Sequence, residues 1–135
     1  MRYDMALNTP LKVILVDDDT TILQVHSKLL RAMGHTVLAF EFPRDAVNYI
    51  LQNSDKIDLI VTDFCMPMLN GSELLRQIRE AGINTPVLIL TGYPDDVDPL
   101  STTVHNASIL CKPVRMSLLM ETIMGLFSSA SCESI

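Results

Sequence analysis

Basic residues are scarce in this chain. Ten Lys and Arg stand against sixteen Asp and Glu, for a net charge of −6. That balance argues against a nucleic-acid surface, which needs clustered cations. It suits a site that holds a cation. Cysteine is scarce too. Cys65, Cys111 and Cys132 are an odd set with no two at ligand spacing. Neither a disulfide framework nor a zinc site is expected, and a reducing cytoplasm is the default compartment. The first ten residues, MRYDMALNTP, lack the apolar core of a signal peptide. No apolar run approaches the length of a membrane span. Internal repeats and low-complexity linkers are also missing. The three histidines, His26, His35 and His105, are isolated, so surface or boundary positions are expected of them rather than metal ligation.

What is present is a globular composition. The chain has 135 residues, 48% of them hydrophobic and 19% charged, which suits one domain with one core. A tail is expected over 1–10, the domain over 11–127, and a Ser-rich tail over 128–135.

Short apolar runs alternate with segments of helical period. Leu11 to Val16 is apolar apart from Lys12 and ends at carboxylates. Ile22, Val25, Leu29, Leu30 and Met33 recur at helical spacing, and Gly34 stops that helix. Thr36 to Phe40 reads as a strand, and Arg44 to Leu51 as a helix after Pro43. Ile57 to Val61 is the third strand. Ser72 to Ala81 is amphipathic, with a cap expected at Ser72 and a stop at Gly82. Pro86 to Leu90 and Ser108 to Cys111 are the fourth and fifth apolar runs, and Arg115 to Phe127 is the final helix. A fourth helix is expected within Asp95 to His105, where Pro99 restricts it to a first turn or a break. Most of the methionines, including Met66, Met68, Met116, Met120 and Met124, are expected as core or interface filler.

Strand and helix thus alternate five times. Strands apolar on both faces are covered by helices, so the sheet is parallel. The fold class is α/β, a doubly wound five-stranded parallel sheet of flavodoxin-like (βα)5 type. Ligands in such sheets sit at the carboxyl ends of the strands.

The polar residues collect there. Asp17, Asp18 and Asp19 follow the first strand, Asp63 the third, Thr91 the fourth and Lys112 the fifth. Taken singly, an acidic run before a helix is N-cap material, and Asp19 fits that role. Asp63 and Thr91 alone would be turn residues, and Lys112 a surface lysine. Their joint placement reverses those readings. Carboxylates ~4 Å apart repel by ~4 kcal/mol at an effective dielectric of ~20, so a cluster either protonates or binds a cation. Oxygen ligands with carboxylates suit Mg²⁺. Phosphoryl transfer needs a metal, a nucleophile, a fixed cation and a hydroxyl donor. Asp63 can be the nucleophile, Lys112 the cation and Thr91 the donor.

The blocks VILVDDD, IVTDFCMPMLNG, VLILTGY and CKP resemble those of CheY-like receiver domains of response regulators, in order and spacing over roughly Leu11 to Phe127. The resemblance implies a phosphoacceptor at Asp63, served by a sensor histidine kinase or phosphotransfer protein. It implies Mg²⁺ held by Asp17, Asp18, Asp63 and the backbone carbonyl of Cys65. Thr91 would be the switch hydroxyl and Lys112 the family's lysine, with a cis peptide before Pro113. Cys65 and Tyr93 would tune hydrolysis of the aspartyl phosphate. Such a domain is a signalling phosphoacceptor rather than an enzyme. It would act on a downstream protein target, with homodimerisation through the fourth helix, fifth strand and last helix. Direct nucleic-acid or membrane contact is not expected. Ile109 departs from the pattern, since many receivers carry Tyr or Phe there.

Two other readings compete. Asp17, Asp19 and Thr21 fit the DxDxT spacing of haloacid-dehalogenase-like phosphohydrolases, with Asp17 as nucleophile. That scheme leaves Asp63 and its loop without a role. The second is a receiver-shaped interaction module that is never phosphorylated. A pure scaffold has no need of clustered carboxylates.

Overall fold

The computed structural model describes residues 10–94 and 106–133, with backbone only from 128 onward. The chain order is β1 (Lys12–Val16), α1 (Thr20–Ala32), β2 (Thr36–Phe40), α2 (Pro43–Asn53), a 3₁₀ turn (Ser54–Lys56) and β3 (Leu59–Asp63). Then come α3 (Gly71–Glu80), β4 (Val87–Thr91), β5 (Ala107–Cys111) and the last helix (Met116–Glu133). The fourth helix expected within Asp95 to His105 lies outside the described residues.

Five strands form one sheet in the order β2-β1-β3-β4-β5, and every pairing is parallel. Alternation along each strand splits the apolar side chains between two faces. Ile14, Val16, Ile60, Val87 and Ile89 pack with Ala46, Ile50, Leu74, Leu75 and Ile78 of α2 and α3. Val13, Leu15, Leu59, Val61, Leu88 and Leu90 pack with Leu23 and Leu30 of α1 and with Leu119 and Ile123 of the last helix. The central strands are buried on both sides, as the unbroken apolar runs require. On the last helix Met116, Met120 and Met124 are half-buried.

Besides the last helix, which runs on to Glu133 past its expected end at Phe127, four details differ from the sequence reading. The third strand starts two residues later than Ile57, and the cause is a clamp. Asp58 N–H donates to the Lys12 carbonyl at 2.9 Å, and Lys12 N–H donates to Asp58 Oδ2 at 2.8 Å. Pairing therefore begins at Leu59 and carries Asp63 as the strand's last residue. Secondly, α3 is capped by Asn70 and not by Ser72. Asn70 Oδ1 accepts from Glu73 N–H and Glu73 Oε1 accepts from Asn70 N–H, both at 2.8 Å, a reciprocal capping box. Thirdly, α2 starts on Pro43 itself, whose missing N–H costs nothing in a first turn.

Fourthly, His35 is buried instead of lying at the surface or a boundary. Its Nδ1 accepts from Leu11 N–H at 3.2 Å, so the ring proton sits on Nε2, which has no partner among the described residues. Burial lowers the His35 pKa from 6.5. The neutral ring is favoured in the folded state, so this contribution is complete above 6.5 and is lost as the pH falls below it. At neutral pH a His35→Gln variant will melt below wild type, and the gap will narrow as the pH falls from 7 to 5. A constant gap in paired thermal melts would refute this account.

Candidate functional site at the carboxyl edge of the sheet

The parallel register places the ends of β1, β3, β4 and β5 side by side. Asp63 pairs with Leu90 and Thr91 with Cys111. Backbone bonds then fix the turns leaving this edge. Asp17 N–H donates to the Phe40 carbonyl at 3.1 Å, Phe64 N–H to the Leu90 carbonyl at 2.9 Å, and Lys112 N–H to the Thr91 carbonyl at 2.8 Å. The Lys112–Pro113 peptide is cis.

These constraints bring the sequence-predicted residues together. Asp17, Asp18 and Asp63 each present a carboxylate oxygen within 4.8 Å of the others. Asp17 is 2% exposed and Asp63 5%, whereas Asp18 faces solvent. Lys112 Nζ reaches Asp63 Oδ1 at 2.5 Å. Thr91 is buried beside them, and its Oγ1 accepts from Tyr93 N–H at 2.9 Å. Cys65 is two residues beyond Asp63, exposed and free. Cys111 is also exposed and free.

Asp19 stands apart from the cluster. Its Oδ1 accepts from Thr21 and Ile22 N–H at 3.0 and 3.2 Å, which makes it the N-cap of α1. The carboxylate that DxDxT chemistry would use as an acid is thus occupied as a cap.

The electrostatics follow from burial. Desolvation pushes the Asp17 carboxyl up to about 6. The Asp19 N–H bonded to Asp17 Oδ1 at 2.9 Å opposes this. The Asp63 charge adds to the rise, Lys112 works against it, and Asp18 adds again. Burial alone would lower the Lys112 pKa. Its hydrogen bond to Asp63 and the charges of Asp63, Asp17 and Asp18 outweigh burial and raise it. Lysine therefore stays charged, while the aspartates hold more negative charge than one ammonium balances. An all-oxygen cluster of this kind could hold a hard divalent cation.

The sequence reading missed Asn70, although the Asn-x-x-Glu spacing before an apolar run was readable. His26 lies at the boundary position expected of it. This half-buried ring lies within the field of Lys112, and burial and then that charge lower its pKa. Met68, expected as filler, is 80% exposed.

Fold and edge together define the receiver class of α/β signalling domains. Comparison with known proteins agrees. Residues 13–124 match the family model described as response regulator receiver domain. The chain is 30% identical over 115 residues to the transcriptional regulatory protein GlrR of Escherichia coli, covering 84% of this chain and 26% of that protein. It is 28% identical to the transcriptional regulatory protein TrcR of Mycobacterium tuberculosis, covering 96% of this chain and half of that protein. Among solved structures, a response regulator receiver domain protein from Clostridium thermocellum superposes with a TM-score of 0.82 at 28% identity. That match covers 90% of this chain and 98% of the other. The receiver domain of the hybrid histidine kinase CckA gives 0.73 at 27% identity, covering 86% and 98%. The chain belongs to the response regulator receiver domain family of two-component systems. It spans half or less of the curated relatives named here, so it corresponds to one segment of them. No helix among the described residues is long and apolar enough to cross a membrane.

Proposed function

We propose that Asp63 accepts a phosphoryl group from the phosphohistidine of a sensor histidine kinase or phosphotransfer protein in the cytoplasm. The observation that carries this reading is the contact of Lys112 Nζ with Asp63 Oδ1 inside a three-carboxylate cluster. An Asp63 carboxylate oxygen attacks phosphorus, and the P–N bond to the imidazole breaks. The electron pair returns to the ring nitrogen, which takes up a proton. The incoming phosphoryl oxygens would then share the Lys112 ammonium, which already sits at the acceptor. The Thr91 hydroxyl is free to donate to a phosphoryl oxygen once it turns from the Tyr93 N–H.

Asp17, Asp18, Asp63 and the Cys65 carbonyl would hold Mg²⁺, whose oxygen preference the donor set fits. When bound, the ion supplies charge neutralisation between carboxylates and phosphoryl group. The receiver spans 11–127 after a tail over 1–10, and the last helix carries on to Glu133 into the segment 128–135 that was expected as a tail. It is a phosphoacceptor that assists its own phosphorylation and dephosphorylation, not an enzyme acting on other substrates. Its output is altered binding of a downstream protein, or homodimerisation, through the segment 95–105, β5 and the last helix.

The test is intact mass after incubation with acetyl phosphate, with and without Mg²⁺. One phosphoryl group gained only with Mg²⁺ supports the reading, and no stable gain refutes it. Two further outcomes are expected. Cation affinity should rise with pH up to about 6 and then level off, because the Asp17 carboxyl must lose its proton before it can offer an oxygen to a cation. Without the cation the sign for stability is opposite to that for affinity. The raised Asp17 pKa favours the folded state fully below 3.8, and that contribution is lost as the pH rises through about 6. Calorimetric titration from pH 5 to 7 checks the affinity, and a flat profile would remove Asp17 from the ligand set.

The second outcome concerns Thr91→Ala. It loses one hydrogen bond to an exposed turn, a cost of about 1 kcal/mol. Labelling should stay within about tenfold of wild type, a span of 1.4 kcal/mol, while the phosphorylation-dependent change in dimerisation or partner binding disappears. A wild-type response would rule out Thr91 as the relay.

A further inference from the structure

A cavity of about 510 Å³ opens beside the acidic edge, between the β2–α2 turn and the loop joining β3 to α3. Its apolar walls are Phe42, Pro43, Pro67 and Met68. Asp18, Glu41 and Asp45 bring three carboxylates to its rim, against the single guanidinium of Arg44. The volume falls in the range of clefts that seat small ligands, roughly 300–1,000 Å³, so it has room for one bulky side chain and its flanking backbone.

Two residues at its mouth break local rules at the expense of the fold. Phe42 is the N-cap of α2 and makes no side-chain cap bond, at a position where Ser, Thr, Asp or Asn satisfies a backbone N–H. Met68 has φ +72, the left-handed region that glycine occupies without steric cost. Nor does burial compensate either residue, since Phe42 is 59% exposed and Met68 80%. Helix and loop would both gain from a polar or smaller residue. Yet the two unfavourable choices meet at one cavity, and departures from local consistency collect where surfaces have a task.

We propose that this cavity is a docking site for a basic segment of a partner protein, which seats one bulky apolar side chain between Phe42 and Met68. Exposed Phe and Met are the residue types that carry apolar anchors at protein interfaces. The carboxylate excess at the rim selects Lys or Arg on either side of the anchor and repels acidic partners. The cavity shares Asp18 with the carboxylate cluster, so a docked segment lies alongside the acceptor edge. The site stands whether or not Asp63 is the acceptor.

The test uses the intact chain and a synthetic pentapeptide with a central leucine between paired lysines. Backbone amide shifts are followed by NMR in wild type, Phe42→Ser and Met68→Gly. Phe42→Ser supplies the missing cap and Met68→Gly relieves the strained φ, so each variant should melt at or above the wild-type temperature. The expected result is shifts confined to Asp18, 41–45 and 67–69, with affinity weakened at least about tenfold in each variant. A pentapeptide with glutamates in place of lysines should leave the spectrum unchanged. Equal binding by the variants would reduce the effect to surface charge and overturn the proposal. So would equal binding of the glutamate peptide, or no binding of the lysine peptide. A wild-type dimer that Phe42→Ser dissociates, in sedimentation without peptide, would assign the cavity to a second copy of the chain and also overturn it. Acetyl phosphate labelling, run in parallel, reports on Asp63 separately, so failure of the docking site and failure of the acceptor are told apart.

Discussion

Asp63→Asn will gain no phosphoryl group from acetyl phosphate at any Mg²⁺ concentration. The loss should exceed about a hundredfold in labelling rate, because the amide lacks the anionic oxygen that attacks phosphorus. The fold should survive. Asp63 ends β3, and its strand pairing is made by the backbone. The substitution removes one of three carboxylates whose oxygens lie within 4.8 Å, a repulsion on the order of 3 kcal/mol per pair at an effective dielectric of about 20. It also weakens the partner of Lys112. These changes oppose each other, so the melting temperature should move little. The rise in melting temperature on adding Mg²⁺ should shrink instead, since a ligand stabilises only through its affinity for the folded state. Asp19→Asn is the matched control. Asp and Asn cap helices about equally well, and Asp19 works as the cap of α1, so labelling should be unchanged. If label survived in Asp63→Asn and followed Asp17, the acceptor assignment would be wrong.

Much of this edge was legible in the sequence because it is built from strand ends. A parallel α/β sheet sends the residues after each strand to one side. Strongly apolar runs such as VILV and VLIL mark those ends without ambiguity. Asp17, Asp18, Asp63, Thr91 and Lys112 therefore converge by topology alone. Less was legible where a side chain competes with the backbone for the same hydrogen bond. The Asp58 clamp delays β3, and the reciprocal Asn70–Glu73 bonds move the start of α3. His35 shows a related limit. A polar residue in a turn is expected to face water, but the unpaired Leu11 N–H at the neighbouring strand start gives its ring a buried partner. The exposure of Phe42 and Met68 was hidden for the opposite reason. Apolar residues are read as core by default, and only coordinates distinguish a filler from an anchor.

Gly71→Ala should be the second most damaging change at the edge, and it acts through geometry alone. A Cβ at Gly71 would lie 2.9 Å from the Asp63 carbonyl oxygen and 3.1 Å from Phe64 Cα. Both are backbone atoms, so no side chain can swing aside. The Gly71 N–H also donates to the Phe64 carbonyl at 2.8 Å, which presses the first turn of α3 onto the peptide that carries the acceptor. Adding a methyl group forces α3 or the Asp63–Phe64 peptide to retreat. The expected cost is about 1–3 kcal/mol, a fall on the order of 5–10 °C in melting temperature. The same shift moves the Asp63 carboxylate relative to Lys112 and Thr91, which come from other strands and do not follow it. Labelling by acetyl phosphate should slow by about tenfold or more, since small displacements at a reacting centre are costly. Gly82→Ala separates the two effects. Gly82 has φ +84 and nothing within 4 Å of an added Cβ, and it follows the opposite end of α3. Alanine there is strained and should cost on the order of 1 kcal/mol, yet leave the labelling rate at the wild-type value. If both variants lost stability and both kept that rate, the contact of Gly71 with the acceptor peptide would matter for folding only.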